Sequence, residues 1–337
     1  MWFTPNQLLT YNCLYNFIIG DRGGGKSFNT LDYCIKRYLK TGEEFIYLRR
    51  QQTELDETLP TLFDWLKVEG YYTNHILYAK GGRLYCDDKV MGYAVSLSTS
   101  MKKKSVSYAK VKWIIFEEFM VDGVTSRYLG HGEQEVDIFN NFYETVDRGY
   151  DRVRVFFIGN AFSSVNIYFT RYQIRLVEPY KLYNKFKNIL ICIWRDDLYR
   201  EKRSHTKFYQ MNEGTEFNQH AYESKFVLDK THFILTKTPN AEFNFALQYL
   251  GRTYGVWCDW DKGRYYVSMK MGSVSSLKTV SLSLEDNRPN NVNIRRCKSL
   301  PFMLMFRRAV DENNVYYDSL ETHAKLNEAI YLLKTTR

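Results

Sequence analysis

The stretch "NFIIGDRGGGKSFNT" (Asn16–Thr30) decides the fold. An apolar run ends at Gly20, breaks at Gly23, Gly24 and Gly25 ahead of Lys26, and resumes with apolar residues at helical spacing (Leu31, Cys34, Ile35, Tyr38). "GDRGGGKS" fits G-x-x-x-x-G-K-[ST], the P-loop. Glycines let successive backbone N–H groups converge on a phosphate chain, and the following helix turns its positive end toward the anion. Gly20, Arg22, Gly23, Gly24, Gly25, Lys26 and Ser27 are therefore the candidate nucleotide-binding residues. Lys26 supplies charge at the β- and γ-phosphates, and the Ser27 hydroxyl is a candidate Mg²⁺ ligand.

Such a loop needs an acid at the tip of a neighbouring apolar strand. "WIIFEEF" provides two: Glu117 as the metal-side carboxylate, and Glu118 as the base that deprotonates an attacking water. A second acid at the tip points to the additional-glutamate (ASCE) class of motor ATPases, with ATP and Mg²⁺ as the implied cofactors. Asn160, closing the apolar run "FFIGN", is the candidate γ-phosphate sensor, with a turn-capping asparagine as the other reading.

Around these motifs the first half alternates apolar strands and amphipathic helices: "EFIYLRR", a hairpin region with turns at Gly81-Gly82 and Asp87-Asp88, and a helix in "EQEVDIFNNFYETVDRG" ending at Gly149. Uniformly apolar strands fit a mostly parallel sheet covered on both faces. From Asp196 the chain turns charged and aperiodic, which reads as a linker or a solvated helix, then alternates like a meander, and closes on an amphipathic helix in "HAKLNEAIYLLKTTR". The expected organisation is a P-loop α/β domain over residues 1–197, a linker over 198–223 and a smaller α+β domain over 224–337.

The net charge of +9 favours a polyanionic partner, nucleic acid above all. The six cysteines are scattered without a CxxC pair, which suggests a reducing compartment rather than a disulfide or zinc framework. No apolar run approaches the ~20 residues of a membrane span, and the N-terminus lacks the features of a signal peptide.

In order and spacing, "YNFIIGDRGGGKS", "GEEFIYLRR", "KSVSYAKVKWIIFEEF" and "ETVDRGYDRVRVFFIGNAFSSVNIYF" resemble the DNA-packaging motor ATPases of phi29-like bacteriophages, relatives of the large terminases. The resemblance implies a homopentameric ring on the phage portal that drives double-stranded DNA into a procapsid in the host cytoplasm. It leaves open whether a structural RNA joins motor and portal. It also implies catalysis across subunit interfaces: the family's arginine finger falls on Arg148, and its trans-acting lysine on Lys104. The family usually carries Asp where this chain has Glu117. Asp147, beside Arg148, is a candidate to pair with the finger and hold it back. The second domain resembles weakly the RNase H-like nuclease domain of terminases. It lacks an acid in "FNFALQYLG" and offers only Asp259 and Asp261, so it reads as an inactive docking domain. Its lysines and arginines (Lys225, Lys230, Lys237, Arg252, Lys262, Arg264, Lys270) are candidate contacts to DNA, RNA or portal.

The same motifs would serve a helicase or another ring translocase, and a nucleotide-gated assembly protein with little hydrolysis stays open. A nucleotide kinase is disfavoured by the lack of an arginine-rich lid. A GTPase is disfavoured because "NKFK" lacks the aspartate of a base-reading NKxD.

Overall fold

A computed structural model describes residues 2–20, 22–103, 107–121, 127–131, 133–161, 165–174, 183–186, 188–194, 197–215, 233–271 and 278–335. The chain forms two compact units, Met1–Leu228 and Asp229–Arg337.

The first unit is built on nine strands: β1 Tyr15–Gly20, β2 Glu44–Arg49, β3 Leu77–Lys80, β4 Arg83–Cys86, β5 Lys89–Ser96, β6 Val111–Glu117, β7 Arg154–Gly159, β8 Tyr183–Phe186 and β9 Ile189–Trp194. Their order is β3-β4-β5-β2-β6-β7-β1-β9-β8. The run from β5 through β9 is parallel, with antiparallel hairpins at both edges. At the hairpin turns Gly81, Gly82, Asp87 and Asp88 all take positive φ, the backbone that tight two-residue connections between twisted strands demand.

Each central strand buries both faces. Phe17 and Ile19 join Phe116, Phe139 and Phe157 on one side, while Ile18 joins Leu31, Ile35, Phe45 and Ile115 on the other. The first side is covered by the helix Gln134–Asp147 and the second by the helix Lys26–Thr41. Period-2 alternation between two apolar layers explains why these strands read as unbroken hydrophobic runs.

Residues 198–211, expected within a linker, contain most of one helix (Asp197–Ser204) and all of another (Lys207–Met211). The helix in "EQEVDIFNNFYETVDRG" stops two residues before Gly149: Arg148 itself is the left-handed cap, at φ +56°.

The second unit carries a six-stranded sheet from β10 Glu242–Tyr249, β11 Arg252–Asp259, β12 Arg264–Ser268, β13 Thr279–Ser281, β14 Asn291–Asn293 and β15 Val315–Tyr317, in the order β14-β13-β10-β11-β12-β15. β10, β11 and β12 form an antiparallel meander, and β13 adds to β10 in parallel. Phe245, Leu247 and Val256 on the sheet, Met303 and Phe306 of the helix Pro301–Asp311, and Leu326 and Ala329 of the helix Leu320–Thr335 make its separate core. Among the described residues no helix is long and apolar enough to cross a membrane.

Candidate nucleotide site

Parallel strands bring their carboxyl ends to one edge, and there the sheet order places the P-loop after β1, Asn160 after β7 and the acid pair at the end of β6. Gly23 and Gly25 sit at φ +77° and +79°, backbone that L side chains rarely adopt. A side chain at Gly23 would also run into the Tyr199 hydroxyl. The loop is braced from two directions. The Phe3 N–H donates to the Gly24 carbonyl at 3.1 Å, and Arg203 Nη1 donates to the Arg22 carbonyl at 3.3 Å. The Arg203 guanidinium also lies over the Tyr199 ring. Lys26 is buried, and its Nζ donates to the carbonyl of Gly20 at 3.0 Å.

Ser27 and Glu117 come together: the serine hydroxyl donates to Glu117 Oε2 at 3.0 Å. Glutamate in place of the usual aspartate thus still reaches the serine directly. Burial pushes the Glu117 carboxyl up to about 7, against the pull of the Ser27 hydroxyl, Arg49 and Lys26. A hydroxyl and a carboxylate side by side are the hard-oxygen donors that Mg²⁺ takes. Ser27 and Glu117 therefore fit a divalent cation.

Glu118 differs from its neighbour in every respect. Its side chain is 59% exposed and accepts from Arg49 Nη2 at 2.9 Å, and its backbone is left-handed at φ +54°. One turn in the chain therefore aims Glu117 inward at Ser27 and Glu118 outward at solvent. Asn160 is half-buried and directly follows the rung that pairs Ile19 with Gly159, between the P-loop strand and the acid strand.

Arg148 is not part of this cluster. It caps the C-terminus of the Gln134–Asp147 helix, just ahead of the start of β7, whereas the P-loop lies beyond the far end of that strand. The six residues of β7 put about 20 Å between the two edges at ~3.3 Å per residue. Arg148 is exposed and does not reach the P-loop of its own chain. The expected pairing of Asp147 with Arg148 is corrected by the structure. The Asp147 carboxylate, 1% exposed, accepts backbone N–H groups of Asp151, Arg152 and Val153 at 2.7, 2.8 and 2.9 Å. Burial alone would raise its pKa, yet those donors hold the acid below its ordinary value. Asp147 is the anchor of the turn that presents Arg148.

Lys104, Lys225 and Lys230 lie outside the described residues. In the second unit Asp259 is buried and closes its own turn, accepting the Thr238 hydroxyl and the Lys262 N–H, while Asp261 is exposed. Among the described residues no three acidic, histidine or cysteine side chains of this unit converge on a common point. Lys237 lies over the Trp257 ring and Arg264 over Tyr316.

Sequence reasoning missed a buried group behind the acid pair. Arg50, 1% exposed, donates through Nε to Glu135 at 2.8 Å and through its other nitrogens to the carbonyls of Glu118 and Phe119 at 3.0 and 2.6 Å. Glu135 stands in the first turn of its helix, where an acid is commonplace. The signal was two consecutive arginines at the tip of an apolar strand, whose side chains point to opposite faces of the sheet.

The Podovirus DNA encapsidation protein (Gp16) family model matches residues 1–332. The DNA packaging protein of Bacillus phage phi29 is 33% identical over 327 residues, covering 94% of this chain and 96% of that protein. The DNA packaging protein of Bacillus phage B103 is 35% identical over 261 residues, 77% of this chain and 79% of that protein. Among solved structures, the bacteriophage Phi-29 viral genome packaging motor assembly matches with a TM-score of 0.74 and 30% identity, over 98% of this chain and 99% of that one. The crystal structure of the N-terminal domain of the DNA packaging ATPase from phi29 matches with a TM-score of 0.52 and 36% identity, over 57% of this chain and 96% of that one.

Proposed function

This chain belongs to the podovirus DNA encapsidation protein (Gp16) family, and from that premise we propose that it is a ring motor hydrolysing ATP to translocate double-stranded DNA into a procapsid through the portal. The observation that carries this reading is the junction of Ser27 with Glu117 beneath the P-loop, with Glu118 turned outward as the next residue.

In this reading the P-loop N–H groups and Lys26 bind the phosphates of ATP and offset their charge. Ser27 and Glu117 would hold Mg²⁺, which would supply positive charge to offset that of the phosphates. Glu118 accepts a proton from water as the water oxygen bonds to the γ-phosphorus. The bond from that phosphorus to the bridging oxygen breaks, leaving ADP and inorganic phosphate. Asn160, which follows β7 between the P-loop strand and the acid strand, is the residue offered to sense the γ-phosphate. The ~20 Å that separate Arg148 from its own loop favour a finger offered to the next subunit of a ring, on the family resemblance a pentamer. There a guanidinium offsets the charge that develops on the transferring group. The second unit reads as an RNase H-like docking domain. A meander with further strands added in parallel to β10 supports that fold, and the commitment of Asp259 to its own turn supports docking over cleavage.

The test is steady-state ATP hydrolysis by the full chain against added duplex DNA, with Lys26→Ala as the blank. Stimulation by duplex DNA is expected. A rate equal to that of the Lys26→Ala chain, with portal supplied, would refute the reading.

A further inference from the structure

We infer that Arg50 is the positioning residue for the hydrolytic base: it fixes the main chain of Glu118 and ties it to the helix that carries Arg148. The inference rests on Glu118 being the base.

Arg50 directly follows β2, next in the sheet to the acid strand β6. Removing a guanidinium from water is expensive unless its donors and its charge are both met. Here both are. Glu135, 0% exposed, faces Nε, and the rings of Phe116 and Tyr128 lie 5.9 and 5.2 Å from the guanidinium carbon. The remaining donors go to two successive carbonyls, those of Glu118 and Phe119. A rigid planar fork that spans adjacent carbonyls constrains the peptide between them. That peptide follows directly on the left-handed Glu118, a backbone that L residues rarely adopt and that persists only where surroundings impose it. The Phe119 N–H donates to Ile158 of β7, pinning the other side of the same turn.

The far end of the network reaches the other half of the proposed machinery. Glu135 Oε2 also accepts the Leu129 N–H, and Oε1 accepts the Tyr168 hydroxyl, both at 2.8 Å. Burial drives the Tyr168 phenol well above its ordinary value, so it remains a donor. Glu135 stands in the first turn of the helix that Arg148 caps. The two adjacent arginines thus divide the work. Arg49 meets the carboxylate of Glu118, and Arg50 sets the backbone from which that carboxylate projects. A displacement of Glu118 would register in Arg50 and Glu135, and from there in the helix that presents the finger.

The test is Arg50→Lys in the full chain, assayed for DNA-stimulated ATP hydrolysis beside Glu118→Gln and Tyr168→Phe. A lysine cannot span both carbonyls and Glu135. Because misplacing a catalytic group by about 1 Å costs on the order of 100-fold, kcat should fall roughly 10–100-fold. KM for ATP should stay within about twofold, since the P-loop is untouched. Tyr168→Phe removes one hydrogen bond and keeps the ion pair, so it should lower kcat by a few-fold with KM unchanged, a reading that stands even where Arg50→Lys fails to fold. Arg50→Lys retaining wild-type kcat overturns the inference. So does a parallel loss of kcat, ATP affinity and melting temperature in both variants, which marks a merely structural role. If Glu118→Gln hydrolyses ATP at the wild-type rate, the base is elsewhere and the inference falls with that reading.

Discussion

Replacing Asp147 with alanine separates two roles that its place beside Arg148 would allow. Were the aspartate a restraint on the finger, its removal would free Arg148 and raise ATP hydrolysis. The structure instead makes it an anchor. Three backbone N–H groups, of Asp151, Arg152 and Val153, converge on a carboxylate buried to 1% exposure. A hydrogen bond to a charged group nets about 1.5–3 kcal/mol, and bonds sharing one acceptor are not additive. The loss is therefore about 3–5 kcal/mol. At about 2–4 °C per kcal/mol for a unit of this size, the melting temperature of the first unit should drop by roughly 10 °C. The turn that displays Arg148 loosens with it, so DNA-stimulated hydrolysis should fall. The pH dependence follows from the depressed acid. Its stabilisation is complete above the ordinary aspartate value of 3.8 and vanishes as pH falls through the lower native value. The gap in stability between wild type and Asp147→Ala should accordingly close only in that acid range. Differential scanning calorimetry from pH 7 downward, paired with a phosphate-release assay, measures both. An unchanged melting temperature with faster hydrolysis would refute the turn-anchor argument and restore the restraint.

Two further outcomes are expected. Gly23→Ala puts an L residue at φ +77° and a methyl against the Tyr199 hydroxyl. At roughly 1–2 kcal/mol for the backbone alone, KM for ATP should rise about tenfold, with only partial recovery when Tyr199→Ala is added; full recovery would mean that the left-handed backbone is not what requires glycine. Asp259→Ala should lower the melting temperature of the second unit, because Thr238 and Lys262 lose their acceptor. Mn²⁺-dependent cleavage of plasmid DNA that this substitution abolishes would instead make Asp259 a nuclease ligand.

Much of the first unit was legible because its signals are local. The glycine pattern after "NFII" specifies strand, turn and helix together, and Gly81-Gly82 and Asp87-Asp88 announce hairpins. Unbroken apolar strands such as "WIIF" announce a sheet covered on both faces. What escaped depends on distant pairing. Arg50 and Glu135 stand 85 residues apart, and either alone reads as a solvated charge. The same limit misread Asp147: adjacency suggested an ion pair with Arg148, whereas the capped helix end turns the carboxylate back to residues 151–153. The helix Asp197–Ser204 was legible only as one of two readings, linker or solvated helix, because its charge masked the contact of Tyr199 and Arg203 with the phosphate loop.

The central claim is an ATP site completed by the arginine of a neighbour, and the direct test is to mix two disabled chains. Lys26→Ala retains Arg148 and loses its own site, while Arg148→Ala retains its site and loses the finger. On procapsids with duplex DNA, each variant alone should be nearly inactive. Mixtures should regain hydrolysis with a maximum at intermediate ratio, because Arg148→Ala sites then receive fingers from Lys26→Ala neighbours. A mixture no faster than the sum of its parts at every ratio would contradict the account and place the whole reaction within one subunit.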